Sequence, residues 1–161
     1  MVWTEIETQT LTTTAASVVF STGLSGYKFF RLTYYAIHTA SSLLYVRLNN
    51  DSGSNYSAQQ IAGDSTSVFG ARVTSQAQWA PYSVSAIGGK MTGVLNIAKP
   101  AAGVKAQLVT QQSANLAAAI KVDLTGGEWN NTADLISRID LLPSSGNFDT
   151  GSSFLLEGLS F

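Results

Sequence analysis

One histidine and ten carboxylates are the side chains in this sequence best suited to acid–base chemistry. The histidine, His38, follows an apolar stretch, and a histidine-based triad would need a nucleophile and a carboxylate beside it. The sequence contains no G-x-S-x-G, H-E-x-x-H or Walker-type motif that would supply such partners. We therefore interpret His38 as a half-exposed residue at a strand end.

The carboxylates include two pairs, Asp140 with Asp149 and Asp123 with Glu128, that offer the residue types of a glycosidase. Such an enzyme needs two acids held about 5 to 9 Å apart. No recognisable motif surrounds any of the four, and each is explained more simply as a solvated strand or turn residue. We expect no catalytic residues, no cofactor and no enzyme activity.

Residues 49–55 concentrate oxygen-bearing side chains, which is the ligand chemistry that Ca²⁺ prefers. The segment contains one carboxylate, Asp51, and lacks the terminal bidentate acid of a helix–loop–helix calcium site. Asn, Asp, Ser and Gly are also the residues that form turns. The composition favours a turn, and we expect no metal site.

Large aromatic residues are the remaining candidates for a binding surface. Their faces bury the CH groups of sugars, but they also fill cores and anchor protein interfaces. The candidate interface or glycan-contact residues are Trp3, Trp79, Trp129 and Tyr56. The sequence favours a role in the core or in a protein interface over a carbohydrate platform.

The chain is sparsely charged, with 12% charged residues and a net charge of −1, about half the usual charged share. Nucleic-acid binders need a basic surplus to replace the counterions of phosphates, so we expect no nucleic-acid partner. The apolar runs are too short to span a bilayer, which predicts no membrane association. The N-terminus lacks the basic and apolar regions of a signal peptide, which predicts synthesis in the cytoplasm without export.

Alternation of apolar and polar residues with a period of two dominates the sequence and predicts an all-β fold. Short strands at regular spacing are typical of a sandwich or barrel. We predict one domain over residues 1–161, an antiparallel, jelly-roll-like β-sandwich. The predicted strands are 3–11, 17–21, 27–38, 43–49, one or two within 68–79, then 90–98, 104–111, 116–124, 133–142 and 153–161.

Three features of this arrangement are specific enough to test. The strand 27–38 has apolar residues on both faces, which predicts a central strand covered on each side. Four small polar residues follow it, which predicts a hairpin with strand 43–49. Residues 50–65 predict a long exposed loop, and the Gly126-Gly127 pair predicts a strand break.

Two segments carry a resemblance to a known group. Residues 43–56, Leu-Leu-Tyr-Val-Arg-Leu-Asn-Asn-Asp-Ser-Gly-Ser-Asn-Tyr, resemble a strand and turn common in small structural proteins of tailed bacteriophages. Residues 139–152 resemble the closing strand pair of those proteins. Members of the group end near Tyr-Gly, where this chain has Glu157-Gly158. The resemblance covers residues 27–56 and 135–159.

The resemblance implies a virion protein: a capsid decoration (cement) protein, a head fibre, or a tail or receptor-binding module. It implies a homotrimer whose partners are the major capsid protein or other virion subunits, and it carries no catalytic residues. The neutral, hydroxyl-rich composition suits close packing of copies. We therefore expect a capsid cement protein, with a tail or head-fibre module that binds host-surface carbohydrate as the alternative.

Overall fold

The structure is a computed structural model that describes residues 2–64, 66–81, 89–116 and 119–160. Within these ranges the chain forms strands and turns, and it contains no helix that is long and apolar enough to cross a membrane. The strands, numbered along the chain, are β1 (Trp3–Thr10), β2 (Val18–Phe20), β3 (Phe29–Ile37), β4 (Leu44–Leu48), β5 (Tyr56–Asp64), β6 (Ser67–Gln76), β7 (Lys90–Ala98), β8 (Ala106–Leu116), β9 (Ala119–Trp129), β10 (Ile139–Pro143) and β11 (Ser153–Leu159).

These strands pair antiparallel in two sheets. The large sheet has the order β1-β11-β3-β7-β8-β9-β5-β6, and the small sheet has the order β2-β10-β4. Buried residues of both sheets form one hydrophobic cluster between the layers. The prediction of an all-β antiparallel sandwich is confirmed, with the strands divided unequally between its layers.

The period-two pattern of β3 shows why the sheets face each other. Phe30, Leu32 and Tyr34 point inward and are buried, whereas Thr33 and Tyr35 point outward and are exposed. The strand lies between β11 and β7, so its predicted central position is confirmed. The prediction that both of its faces are covered is wrong, because the outer face of the large sheet is open to solvent.

The predicted hairpin between strands 27–38 and 43–49 is also wrong. β3 belongs to the large sheet, whereas β4 pairs with β10 in the small sheet. Leu44, Val46 and Leu48 on β4 are buried in the same core as the inward residues of β3. Because each strand has an apolar face to bury, the two strands lie in opposite layers, and the short connection crosses between the sheets.

The predicted loop over residues 50–65 is wrong for most of its length. Only residues 50–55 turn, and β5 then pairs with both β6 and β9. Its inward positions after Tyr56 are Ala58, Gln60 and Ala62. Small and polar residues at these buried positions hide the apolar alternation that would have indicated a strand.

The glycine pair at 126–127 does not interrupt β9. Gly127 faces inward, where a Cβ atom would collide with the Ser57 carbonyl and lie 2.5 Å from the Trp79 indole nitrogen. Gly126 faces outward, with no atom within 4 Å of an added Cβ. The inner glycine thus allows the close approach of neighbouring groups inside a continuous strand.

Two further predictions need adjustment. The predicted strand 133–142 is a strand only at β10, because residues 135–138 instead bond to the Asn49 side chain. Asn49 accepts hydrogen bonds from the backbone nitrogens of Ser137 (2.8 Å) and Arg138 (3.1 Å) and donates one to the Leu135 carbonyl (2.8 Å). Strands 104–111 and 116–124 correspond to the longer β8 and β9, and residues 117–118 of the alanine run lie outside the described residues.

The two adjacent glycines provide a matched stability test. Gly127→Ala should lower the free energy of unfolding by about 1–3 kcal/mol, because the new methyl group overpacks the contact with Trp79. Gly126→Ala should change it by less than about 1 kcal/mol, because its methyl group enters open space. Urea denaturation of both variants measures the difference, and equal effects would contradict the described packing.

Candidate functional site

Three of the four candidate contact residues are core residues. Trp79 is 1% exposed, and Trp129 and Tyr56 are fully buried. Their interpretation as interface or glycan contacts is therefore corrected, because no sugar or protein can reach rings enclosed between the sheets. Trp3, on the edge strand β1, is only partly buried and remains accessible.

The buried aromatic residues are held by the turn that the sequence analysis considered for calcium. The Trp129 indole donates a hydrogen bond to Oδ2 of Asp51 (2.6 Å), and the Asn55 amide donates a second (2.9 Å). The Gly53 backbone nitrogen donates to Oδ1 (2.8 Å). Burial alone would raise the pKa of Asp51, but these hydrogen bonds outweigh it and lower the pKa. The carboxylate therefore serves the turn and its tryptophan.

Tyr56 and Lys99 complete this corner. The Tyr56 hydroxyl accepts from the Leu48 backbone nitrogen (2.8 Å) and donates to the Leu48 carbonyl (3.3 Å), and its ring stacks on Trp129 at 6.4 Å. Lys99 is buried, and its Nζ donates to the carbonyls of Val104 (2.6 Å) and Asn131 (2.8 Å). These contacts tie loops to strands and explain the burial of a lysine without any ligand.

His38 is fully buried, so its predicted half-exposed position is wrong. Its ring lies 5.3 Å from that of Phe148, to which it is joined by a β-bridge. Burial lowers the pKa of His38 to about 4. The imidazole is therefore neutral at physiological pH and packs as part of the core.

The carboxylates of the two candidate pairs each have a local partner, and those of one pair lie on opposite faces of the sheet. Asp123 points inward and accepts a hydrogen bond from Thr125 (2.5 Å), whereas Glu128 points outward and pairs with Lys105 (2.9 Å). The two residues are five positions apart in an extended strand, so they lie on opposite faces of the sheet. Asp140 is held by the Arg138 guanidinium at 2.6 Å, and Asp149 accepts from the following backbone nitrogen at 2.8 Å.

The accessible feature with an unusual composition is the outer face of the large sheet. Its side chains lie in rows that cross the strands, because residues paired in register share a face. Row 1 consists of Tyr35, Thr92, Ser113, Val122, Gly63 and Val68. Row 2 consists of Thr33, Val94, Gln111, Leu124, Ile61 and Gly70, and row 3 of Arg31, Asn96, Val109, Gly126, Gln59 and Arg72.

Rows 1 and 2, which we call the apolar rows, carry no acidic or basic side chain. Val68, Ile61 and Val122 are 79%, 62% and 60% exposed, and Leu124 is 47% exposed. Together with the neutral polar residues between them, they line a shallow open depression of about 740 Å³. Charged residues flank these rows on both sides, with Arg31 and Arg72 in row 3 and Lys90 beyond row 1, so the surface has an apolar centre and a charged rim.

β9 has the reverse of the polarity expected for a strand with one solvated face. Val122 and Leu124 point outward and are exposed, whereas Asp123 and Thr125 point inward and are buried. The neighbouring inward positions are also polar, and the Tyr34 hydroxyl donates to Gln112 (2.6 Å) among them. Sequence reasoning missed this face because the predicted strand 116–124 has apolar and polar residues on alternate faces, and the sequence does not show which face meets solvent.

Trp3 lies on the same outer face, at the opposite end of the large sheet. The Arg31 guanidinium lies 4.5 Å from the ring centroid of Trp3 and forms a 2.8 Å ion pair with Glu157. Beside them is a groove of about 170 Å³ that includes Asn96 and Gln107. This end of the face therefore combines an accessible aromatic ring, charges and amides.

Comparisons with known proteins add no assignment for this face. No protein-family model matches the chain, and neither a curated protein nor a solved structure matches it significantly. The outer face itself and the motifs of the sequence are what bear on the function.

The Asp51 turn leads to a stability prediction. Asp51→Ala should lower the free energy of unfolding by about 2–4 kcal/mol, because it leaves the buried Trp129 N–H without an acceptor and frees the turn. Asp134→Ala, which removes an exposed carboxylate, should cost less than about 1 kcal/mol. Urea denaturation with tryptophan fluorescence measures both, and equal losses would contradict the anchoring role of Asp51.

The buried histidine leads to a prediction of pH dependence. The native state binds fewer protons than the unfolded state between pH 4 and 6.5, so stability should fall as the pH is lowered through this window. The expected slope is about 1.4 kcal/mol per pH unit. Urea denaturation of the native protein and of His38→Gln between pH 4.5 and 6.5 separates the contribution of His38 from those of the other titrating groups. Identical slopes of stability against pH in the two proteins would refute the prediction.

Proposed function

We propose that this protein is a structural component of a tailed-bacteriophage particle, a capsid decoration (cement) protein that stabilises the capsid lattice through protein–protein contacts. The observation that carries the proposal is the outer face of the large sheet. It presents an apolar, uncharged centre to solvent while polar residues of the same strands are buried.

A chain without a partner would be more stable if the apolar residues of β9 were buried and its polar residues were exposed. Exposed apolar surface is worth about 25 cal/mol per Å² when it is removed from water, and β9 leaves that gain unused. A protein partner that covers Val122, Leu124 and Ile61 would recover it. An apolar centre with a charged rim is also the usual anatomy of a protein interface.

The low charge of the chain is consistent with a cement role. Neutral surfaces can approach one another closely on a crowded lattice without repulsion between like charges. A protein that binds the assembled lattice and not its free subunits stabilises the lattice by mass action. The motifs at residues 43–56 and 139–152 support the same assignment through their resemblance to small phage structural proteins.

The groove beside Trp3 favours a second candidate function, a tail or head-fibre module that binds host-surface carbohydrate. An accessible indole can stack on a sugar ring, and the amides of Asn96 and Gln107 offer donors and acceptors for hydroxyl groups. This candidate depends on Trp3 alone among the tryptophans, because Trp79 and Trp129 are buried.

Counting copies per particle tests the cement assignment. Quantitative gels of purified particles should give a number that matches the sites of the capsid lattice. Particles that lack the protein should release DNA at a lower temperature, and adding the purified protein should restore the native release temperature. A count of only a few copies would refute the cement role and support a tail or fibre location.

A glycan array tests the second candidate. If the Trp3 groove binds saccharides, Trp3→Ala should abolish array signals that Leu135→Ala, a change at an exposed residue elsewhere, leaves intact. An array without hits for the native protein would refute carbohydrate binding.

A further inference from the structure

We infer that the apolar rows bind a second copy of this chain, face to face, about a twofold axis that runs along the strands between β5 and β9. The inference deepens the proposed function, since it depends on the outer face acting as a docking surface and names the occupant of its apolar half. Trp3 and the charged residues at the other end of the face remain available to other virion subunits.

The register of the strands carries the argument. Such an axis places each residue of β9 opposite a β5 residue of the second copy. That β5 residue has the same number as the one with which the β9 residue pairs in its own chain. Val122 then faces Gly63 of the second copy, and Leu124 faces Ile61 of the second copy. In row 3, Gly126 faces Gln59 of the second copy. A large residue meets a glycine in two of these pairs, and two branched apolar residues meet at the centre.

The same rule extends one strand further on each side. β8 lies over β6 of the second copy, so Gln111 faces Gly70 and Ser113 faces Val68. Each pair again joins a longer side chain to a small one. Two sheet faces pack about 10 Å apart only when their side chains interdigitate, and this alternation of sizes provides that fit.

The outward glycines have no role in the packing of the monomer. A Cβ atom at Gly63 or Gly126 would have no neighbour within 4 Å, whereas one at the inward Gly93 would lie 2.5 Å from the Tyr34 hydroxyl. The fold therefore explains the inward glycine but not the outward ones. Glycine within a strand often marks a close approach by another molecule, and the outward glycines lie where the facing side chains arrive.

Charge also suits a second copy. The apolar rows carry no acidic or basic group, so two identical faces do not repel each other. About this axis β8, β9, β5 and β6 of one copy cover the same four strands of the other, because β6 is the edge of the sheet. Four strands and three rows measure about 20 Å by 20 Å, which is about 400 Å² per copy. The total of about 800 Å² is below the usual size of a specific interface, so the association should be weak and dependent on concentration.

Sedimentation velocity of the purified full chain tests the inference without any virion. The native protein should approach twice its 17.0 kDa mass as its concentration rises. Leu124→Lys should remain monomeric, because it places a lysine against the Ile61 side chain of the second copy, whereas Leu135→Lys should associate like the native protein. A monomer at all concentrations, a trimer, or a dimer that Leu124→Lys leaves intact would overturn the inference.

Cysteine cross-linking tests the axis directly, because the chain contains no native cysteine. Across the proposed axis, positions 111 and 70 face each other at the sheet spacing of about 10 Å, which is too far for a disulfide but within reach of a short bismaleimide. Within one chain the two positions are three strand spacings apart, about 14 Å, and a link between them would leave a monomer. The double variant Gln111→Cys, Gly70→Cys should form covalent dimers with the reagent, and neither single variant should. Absence of this cross-link would overturn the proposed axis.

These outcomes are independent of the particle experiments. A protein that dimerises as described but is absent from capsids would refute the cement role and leave the self-association intact. A protein that is found at lattice stoichiometry but remains monomeric when purified would support the cement role and refute the self-association.

Discussion

The hydrogen bond from the Trp129 indole to the Asp51 carboxylate is the contact on which much of this structure depends. Asp51 lies in the turn that leaves the small sheet, and Trp129 ends a strand of the large sheet. The bond therefore fixes how the chain passes from one layer to the other. Asn49, in the same turn, binds the backbone of residues 135–138 and fixes the entry into β10. Residues 49–51 thus form a structural corner between the two sheets.

The fold class could be predicted from the sequence because period-two alternation is a local property. β3, β7 and β11 show it plainly, and their predicted positions hold. Partner choice could not be predicted, because β3 and β4 have the same pattern whether they pair in one sheet or face each other across the core. β5 escaped prediction for a different reason: Ala58, Gln60 and Ala62 occupy its buried positions and conceal the alternation.

The candidate site was predicted less well than the fold. Aromatic residues were the candidates for a contact surface, with a core or interface role favoured, and Tyr56, Trp79 and Trp129 are core residues that fill the space between the two layers. The exposed apolar residues of β9 and β5 could not be recognised, because sequence alone does not show which face of a strand meets solvent. The outer face became visible only when the register placed Ile61, Leu124 and their neighbours side by side.

The polar lining beneath β5, β8 and β9 has a consequence for how the molecule opens. In the described part of the chain, Gln60 has no hydrogen-bond partner for either side-chain polar atom, and Gln112 has none for its amide nitrogen. Unsatisfied buried groups weaken the strands that carry them, so this half of the sheet should exchange its amide hydrogens through local opening below the global unfolding free energy. An occupant on the outer face would slow that exchange most in β5 and β9. Assembly would thereby stiffen strands whose inner faces are polar.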